Sequence, residues 1–140
     1  MNGRLVGTLR REASGAIDFR YDPSWLSWES TFPISLSLPL REDRYTGAPV
    51  TAVFDNLLPD NSAVRRRVAE RVGADGTDAF SLLASIGHDC VGALQFLLDG
   101  FSPGQAGTTN GKPVTDEEIA ALIGNLAAAP LGLDEDADFR

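Results

Sequence analysis

The most regular stretch of the chain is residues 61–72, where Val64, Val68 and Val72 recur four apart and Gly73 follows. That spacing places the valines on one stripe of an α-helix, and a glycine just past the end can close it. The patterned stretches before it are shorter and have a different period. In residues 3–10, Leu5 and Leu9 fall on one side of a strand; in residues 16–21, Ile17, Phe19 and Tyr21 do the same. Ala13-Ser14-Gly15 lies between them as the turn of an antiparallel hairpin. Short pieces with both periods predict an α+β fold: a small antiparallel sheet packed with three to four short helices.

Turn and cap residues place the other elements. Asp22-Pro23 predicts an N-cap with proline at the first helical position, so a short helical turn runs through Trp28. Ile34, Leu36 and Leu38 alternate with serines between Pro33 and Pro39, which predicts a short strand near a sheet edge. Residues 41–48 read as a polar loop, and residues 49–58 as a helix that stops before Pro59. Thr77 is the expected cap of a helix reaching Ile86 and closed by Gly87, with Phe80 and Leu83 facing inward. Val91–Leu98 reads as an apolar strand. Thr115 and Glu118 form a capping box for a last helix running to about Ala128. The expected organisation is a core over 1–99, a loop or linker over 100–114, and a last helix with an acidic lead over 115–140.

Charge narrows the partners. The chain has 140 residues, 12 Lys+Arg, 20 Asp+Glu and a formal net charge of −8. Residues 1–98 hold ten arginines and twelve acids; residues 99–140 hold two bases and eight acids. Sequence-independent nucleic-acid binding relies on excess cations, so this balance argues against direct nucleic-acid contact. One cysteine, Cys90, permits no internal disulfide, and neither a signal pattern nor an 18-residue apolar run is present. A cytoplasmic protein without membrane contact is expected.

No motif assembles chemistry. His88-Asp89-Cys90 contains the only histidine and the only cysteine. An activated thiol needs a base, an orienting group and an oxyanion site, and a metal needs more ligands than these two provide. Gly107 to Lys112 is one residue short of a phosphate-binding loop, and Pro113 stands where its Ser/Thr belongs. Glu117-Glu118 and the Asp134–Asp138 acids read as solvated. Arg65-Arg66-Arg67 with Arg71 is the only basic cluster, and Trp25 and Trp28 lie three apart on a predicted turn. No residue is assigned as catalytic, cofactor-binding or metal-binding. Asp55 and Asn56 are expected to tie a helix end to nearby backbone.

Several segments together resemble the N-terminal region of HipA-type serine/threonine kinases, the toxins of bacterial toxin–antitoxin pairs. They are Gly3-Arg4-Leu5-Val6-Gly7, Phe19-Arg20-Tyr21 with Pro23 and Trp25-Leu26, and Pro33-Ile34-Ser35-Leu36-Ser37-Leu38-Pro39-Leu40. Phe54-Asp55-Asn56-Leu57-Leu58-Pro59-Asp60 and Ile86-Gly87-His88-Asp89-Cys90-Val91-Gly92-Ala93 follow in the family's order, and Pro130-Leu131-Gly132 and Asp138-Phe139-Arg140 fit its lead into the kinase core. The resemblance implies another strand ahead of Asn2-Gly3. It also implies a nucleotide loop, a catalytic-loop Asp and a metal-binding Asp after the position of Arg140.

The resemblance therefore implies an N-terminal regulatory and interaction subdomain of a HipA-like kinase toxin, catalytically inactive alone. ATP and Mg are expected only for the kinase core. The implied partners are a HipA-like kinase core, in cis or in trans, a HipB-like DNA-binding antitoxin, and a second copy through self-association. The alternative is a stand-alone HipS-like antitoxin that binds and inhibits a separate short kinase. The residues taken as partner-binding are Trp25, Trp28, Arg65, Arg66, Arg67, Thr77, Asp78 and Phe80.

Overall fold

The computed structural model describes residues 3–89, 93–101 and 113–125. The chain divides into two compact units, Met1–Ala106 and Gly107–Arg140. The first unit is built on a three-stranded antiparallel sheet in the order β1-β2-β3. Strands β1 (Gly7–Arg11) and β2 (Ile17–Tyr21) form the expected hairpin, with Gly7 opposite Tyr21 and Arg11 opposite Ile17. Gly15 takes φ 86° in its turn, a conformation that costs glycine least. Strand β1 starts later than the alternation suggests, so Leu5 lies outside it and is exposed, while Val6 is buried.

The third strand is not the one expected. Residues 34–38 form no regular strand; Leu38 N–H donates back to Ser35 O in a tight turn, with one isolated bridge between these two residues. Ser37 N–H also bonds the Ser35 hydroxyl at 3.2 Å, a local bond that competes with strand pairing. Leu36 is consequently 96% exposed and Leu38 fully buried. The strand on that edge is the two-residue β3 (Tyr45–Thr46), inside the predicted polar loop, with Tyr45 in register with Phe19.

The helices follow their caps. Asp22 accepts from Ser24 N–H at the start of α1 (Pro23–Leu26), with proline at its first position. Next come α2 (Ala48–Asp55) and α3 (Ser62–Val72). Asn61 Oδ1 accepts from Ala63 and Val64 N–H at the start of α3, and Gly73 closes it at φ 65°. Asp78, not Thr77, caps α4 (Ala79–Ile86), because its carboxylate reaches Ser81 N–H. A 3₁₀ turn (Gly87–Asp89) continues it. Residues 93–98 form no strand; Phe96 N–H donates to Gly87 O at 2.7 Å. The rest of the predicted 91–98 strand lies outside the described residues.

The core sits between β2 and the helices. Ile17, Phe19 and Tyr21 project from the middle strand into a cluster with Trp25, Val50, Phe54, Leu58, Val68, Leu82 and Leu83. The Phe19 ring meets Tyr21 at 4.9 Å and Phe54 at 5.5 Å, and Phe54 meets Phe96 at 5.8 Å. In the second unit, α5 (Asp116–Asn125) opens with the predicted capping box. Thr115 N–H donates to Glu118 Oε2 at 2.8 Å, and Glu118 N–H to Thr115 Oγ1 at 3.3 Å. The predicted end of that helix near Ala128 lies outside the described residues, as do residues 130–140.

Three aromatic side chains hold the 32–39 segment by its backbone. Trp25 Nε1–H donates to Phe32 O at 3.1 Å, and the Tyr45 hydroxyl donates to Pro39 O. The Tyr21 hydroxyl accepts from Ile34 N–H at 3.0 Å and donates to Leu38 O at 2.5 Å. Removing a buried partner leaves these backbone groups unsatisfied. Tyr21→Phe keeps the ring and should lower unfolding free energy by about 1–3 kcal/mol in urea titration. An unchanged urea midpoint would show that the hydroxyl anchors nothing.

Candidate interaction surfaces

Three groups of side chains cover the residues singled out in the sequence. The first is the corner where β1 ends against the start of α4. Arg11 Nη2 donates to Asp78 Oδ1 at 2.6 Å and to the Ser81 hydroxyl at 2.7 Å. The Ser81 hydroxyl in turn donates to Asp78 Oδ2 at 2.6 Å. The Arg11 guanidinium also lies 4.5 Å from the centre of the Phe80 ring, a cation–π distance. Partial burial disfavours the Asp78 carboxylate. The Ser81 hydrogen bonds and the Arg11 charge outweigh that penalty and hold it below the usual carboxylate range. Asp78 and Phe80 thus occupy one corner with Arg11, which the sequence did not single out. Arg11 and Asp78 are 67 residues apart, and no local spacing could have joined them. Thr77 is exposed beside this corner.

The second group is the arginine run on α3. Arg65 is not a surface residue: its side chain is only 14% exposed. It donates to Asp55 Oδ1 at 2.6 Å, to Pro59 O at 2.5 Å and to Asp55 O at 3.3 Å. The hydrogen bond to the Asp55 carboxylate, opposed by desolvation, raises its pKa further above the arginine range. Arg65 therefore fastens the end of α2 and the loop before α3, and that corrects its assignment to a partner surface. Asp55 is the residue that ties this helix end, while Asn56 is exposed. Arg66 and Arg67 are exposed on the same helix.

The third group is aromatic. Trp25 is 1% exposed, with its ring 5.1 Å from Trp28 and 5.4 Å from Phe32. Its indole faces inward and its N–H is bonded, so Trp25 has no surface for a partner, a second correction. Trp28 is half-buried, with the Arg4 guanidinium 4.5 Å from its ring centre, and Phe32 is 45% exposed. The pair expected to form one patch is thus an anchor and its partly exposed neighbour.

His88 is exposed and its carbonyl accepts from the Gln95 side chain. Cys90 lies outside the described residues. Among the described residues, no group of three or more His, Cys, Asp or Glu is placed to hold a metal, and no helix is long and apolar enough to cross a membrane.

Two variants separate framework from surface. Arg65→Ala should lower stability by about 1–2 kcal/mol, because it removes charge-assisted bonds that are partly solvated on the Asp55 side; chemical denaturation measures it, and no change would return Arg65 to the surface set. Asp78→Asn keeps a capable N-cap and removes only the charge. A carboxylate depressed in the folded state contributes its stability above the usual range and loses it as pH falls through its lowered value. Asp78→Asn should therefore be less stable by roughly 0.5 kcal/mol near neutral pH. The gap should close on acidification below the normal aspartate range in thermal melts against pH.

Comparison with known proteins places the sequence in a family. The sequence model described as the HipA N-terminal domain matches residues 1–97. A protein named "Putative kinase Y4mE" from Sinorhizobium fredii is 34% identical over 129 residues, covering 92% of this chain and 30% of the relative. The serine/threonine-protein kinase toxin HipA of Shewanella oneidensis is 27% identical over 128 residues, covering 91% of this chain and 28% of the relative. The chain thus spans less than a third of the length of these curated relatives. Because the family match takes in the whole hairpin, the edge strand, helices α1 to α4 and the residues that pack them, the chain belongs to the HipA N-terminal domain family.

Proposed function

We propose that this chain is a regulatory and interaction domain of a HipA-like serine/threonine kinase toxin and performs no phosphoryl transfer by itself. The observation that carries the reading is the match to the HipA N-terminal domain over residues 1–97, set against relatives more than three times the matched length. Phosphoryl transfer needs positioned phosphates, metal ligands and a residue that orients the nucleophile. In this reading those parts, with ATP and Mg, belong to the kinase core, which this domain meets in cis or in trans in the cytoplasm. A HipB-like antitoxin and a second copy are further partners. Exposed residues available for such contacts are Arg66, Arg67 and Thr77, with the outer faces of Trp28, Asp78 and Phe80.

The test is reconstitution. Purified chain incubated with ATP and Mg should transfer no phosphate, while the HipA-type kinase region encoded at the same locus should bind it. Phosphorylation by the chain alone, or the absence of any such kinase region from the locus, would overturn the reading. Growth arrest by a separately encoded kinase that this chain relieves in trans would assign it the HipS-like inhibitory role.

A further inference from the structure

The loop from Phe32 to Leu40 has an unusual combination of properties. Its nine residues include no charged side chain. Its root is fixed: Leu38 is fully buried, and Phe32 O, Ile34 N–H, Leu38 O and Pro39 O are all bonded by Trp25, Tyr21 and Tyr45. Pro33 and Pro39 restrict the backbone at both ends, and the Ser35–Leu38 turn closes the tip. At that tip Leu36 is 96% exposed, the most exposed of the large apolar side chains described, between Ser35 and Ser37.

A leucine on a mobile loop can fold back onto apolar surface. This one is held in the open by backbone bonds that do not involve its own side chain. A loop whose backbone is already held in its binding position loses little backbone freedom on association, which favours affinity. An uncharged tip offers nothing to phosphates or to a charged groove. Its chemistry suits an apolar socket on a folded partner.

We propose that the Phe32–Leu40 loop is a preformed docking knob that inserts Leu36 into an apolar pocket of the HipA-type kinase region. The inference rests on the docking reading above. It selects the kinase region as occupant because about 70% of each kinase relative's length lies outside the stretch matched by this chain. A folded polypeptide of that size is the macromolecule that both relatives place in the same chain as this domain.

Binding of the 140-residue chain to the kinase region from the same locus, measured by calorimetry, tests it. Leu36→Asp should weaken binding about tenfold or more, and Leu36→Ala about tenfold, as burial of a leucine side chain implies. Both variants should keep the wild-type melting temperature, because Leu36 supports nothing inside the domain. Leu97→Asp, at another exposed apolar position, should bind like wild type. If wild type binds and both Leu36 variants bind equally well, the knob is wrong and the docking reading stands. If wild type does not bind, both fail. If the chain instead dimerises and Leu36→Asp makes it monomeric without any kinase binding, the occupant is a second copy and the proposal is overturned.

Discussion

The buried hydroxyl of Tyr21 is the interaction on which the rest of the domain's shape depends. It sits at the end of the middle strand, where the ring can pack against Phe19 while the oxygen reaches the 32–39 segment. Burial raises its pKa; the bond from Ile34 opposes the rise without cancelling it, and the nearby Tyr45 adds a smaller push upward. The phenol therefore stays protonated and keeps donating to Leu38 O throughout the neutral range. Without that oxygen, the segment would have a buried carbonyl at Leu38 and a part-buried N–H at Ile34 to satisfy and no strand neighbour to satisfy them. The sheet core and the loop outside it are thus joined by one side chain that is apolar at its base and polar at its tip.

The same division explains which parts of the fold were legible in the sequence. Caps and breakers act locally, so Asp22-Pro23, Gly73 and the Thr115/Glu118 box each sit where their chemistry indicates. The hairpin was legible because alternation and a glycine turn coincide. The run from Ile34 to Leu38 misled because alternation alone does not supply a pairing partner. Here the Ser35 hydroxyl accepts from Ser37 N–H, and two tyrosines and a tryptophan from elsewhere bond Phe32 O, Ile34 N–H, Leu38 O and Pro39 O. The real edge strand, Tyr45–Thr46, is too short for any periodic signal; it is fixed by Tyr45 packing under Phe19 and Tyr21.

Charged residues show a related asymmetry. A run of arginines on a helix reads as one surface, yet Arg65 turns inward because Asp55 and the Pro59 carbonyl lie within reach, while Arg66 and Arg67 remain outside. Asp78 was singled out only as a partner-binding residue beside the expected cap Thr77, and the structure makes it the cap. Its second role, holding Arg11 against Phe80, depends on β1 being folded beside α4. Trp25 fails as a surface residue for the same reason: the helical turn that carries it is short, so its orientation is set by Phe32 and the core rather than by helical period. Tertiary contacts decide which member of a local cluster faces solvent, and sequence spacing cannot.

In the proposed docking role the surface groups of this domain contribute unequally. Arg65 and Arg11 already donate to internal partners, so using them in an interface would first require breaking bonds that hold helix ends together, while Asp78 keeps an exposed outer face beside its internal bonds. Charges that remain exposed, such as Arg66 and Arg67, affect association rate more than lifetime. Lifetime comes mainly from apolar side chains buried at the centre of a contact. Among the described residues the most exposed large apolar side chain is Leu36, and the backbone around it is held by Tyr21, Trp25 and Tyr45, residues that complete the core. Under the docking proposal, loosening Tyr21, Trp25 or Tyr45 should weaken the calorimetric affinity for the kinase region even where none of them touches it, because each holds the backbone that aims the loop.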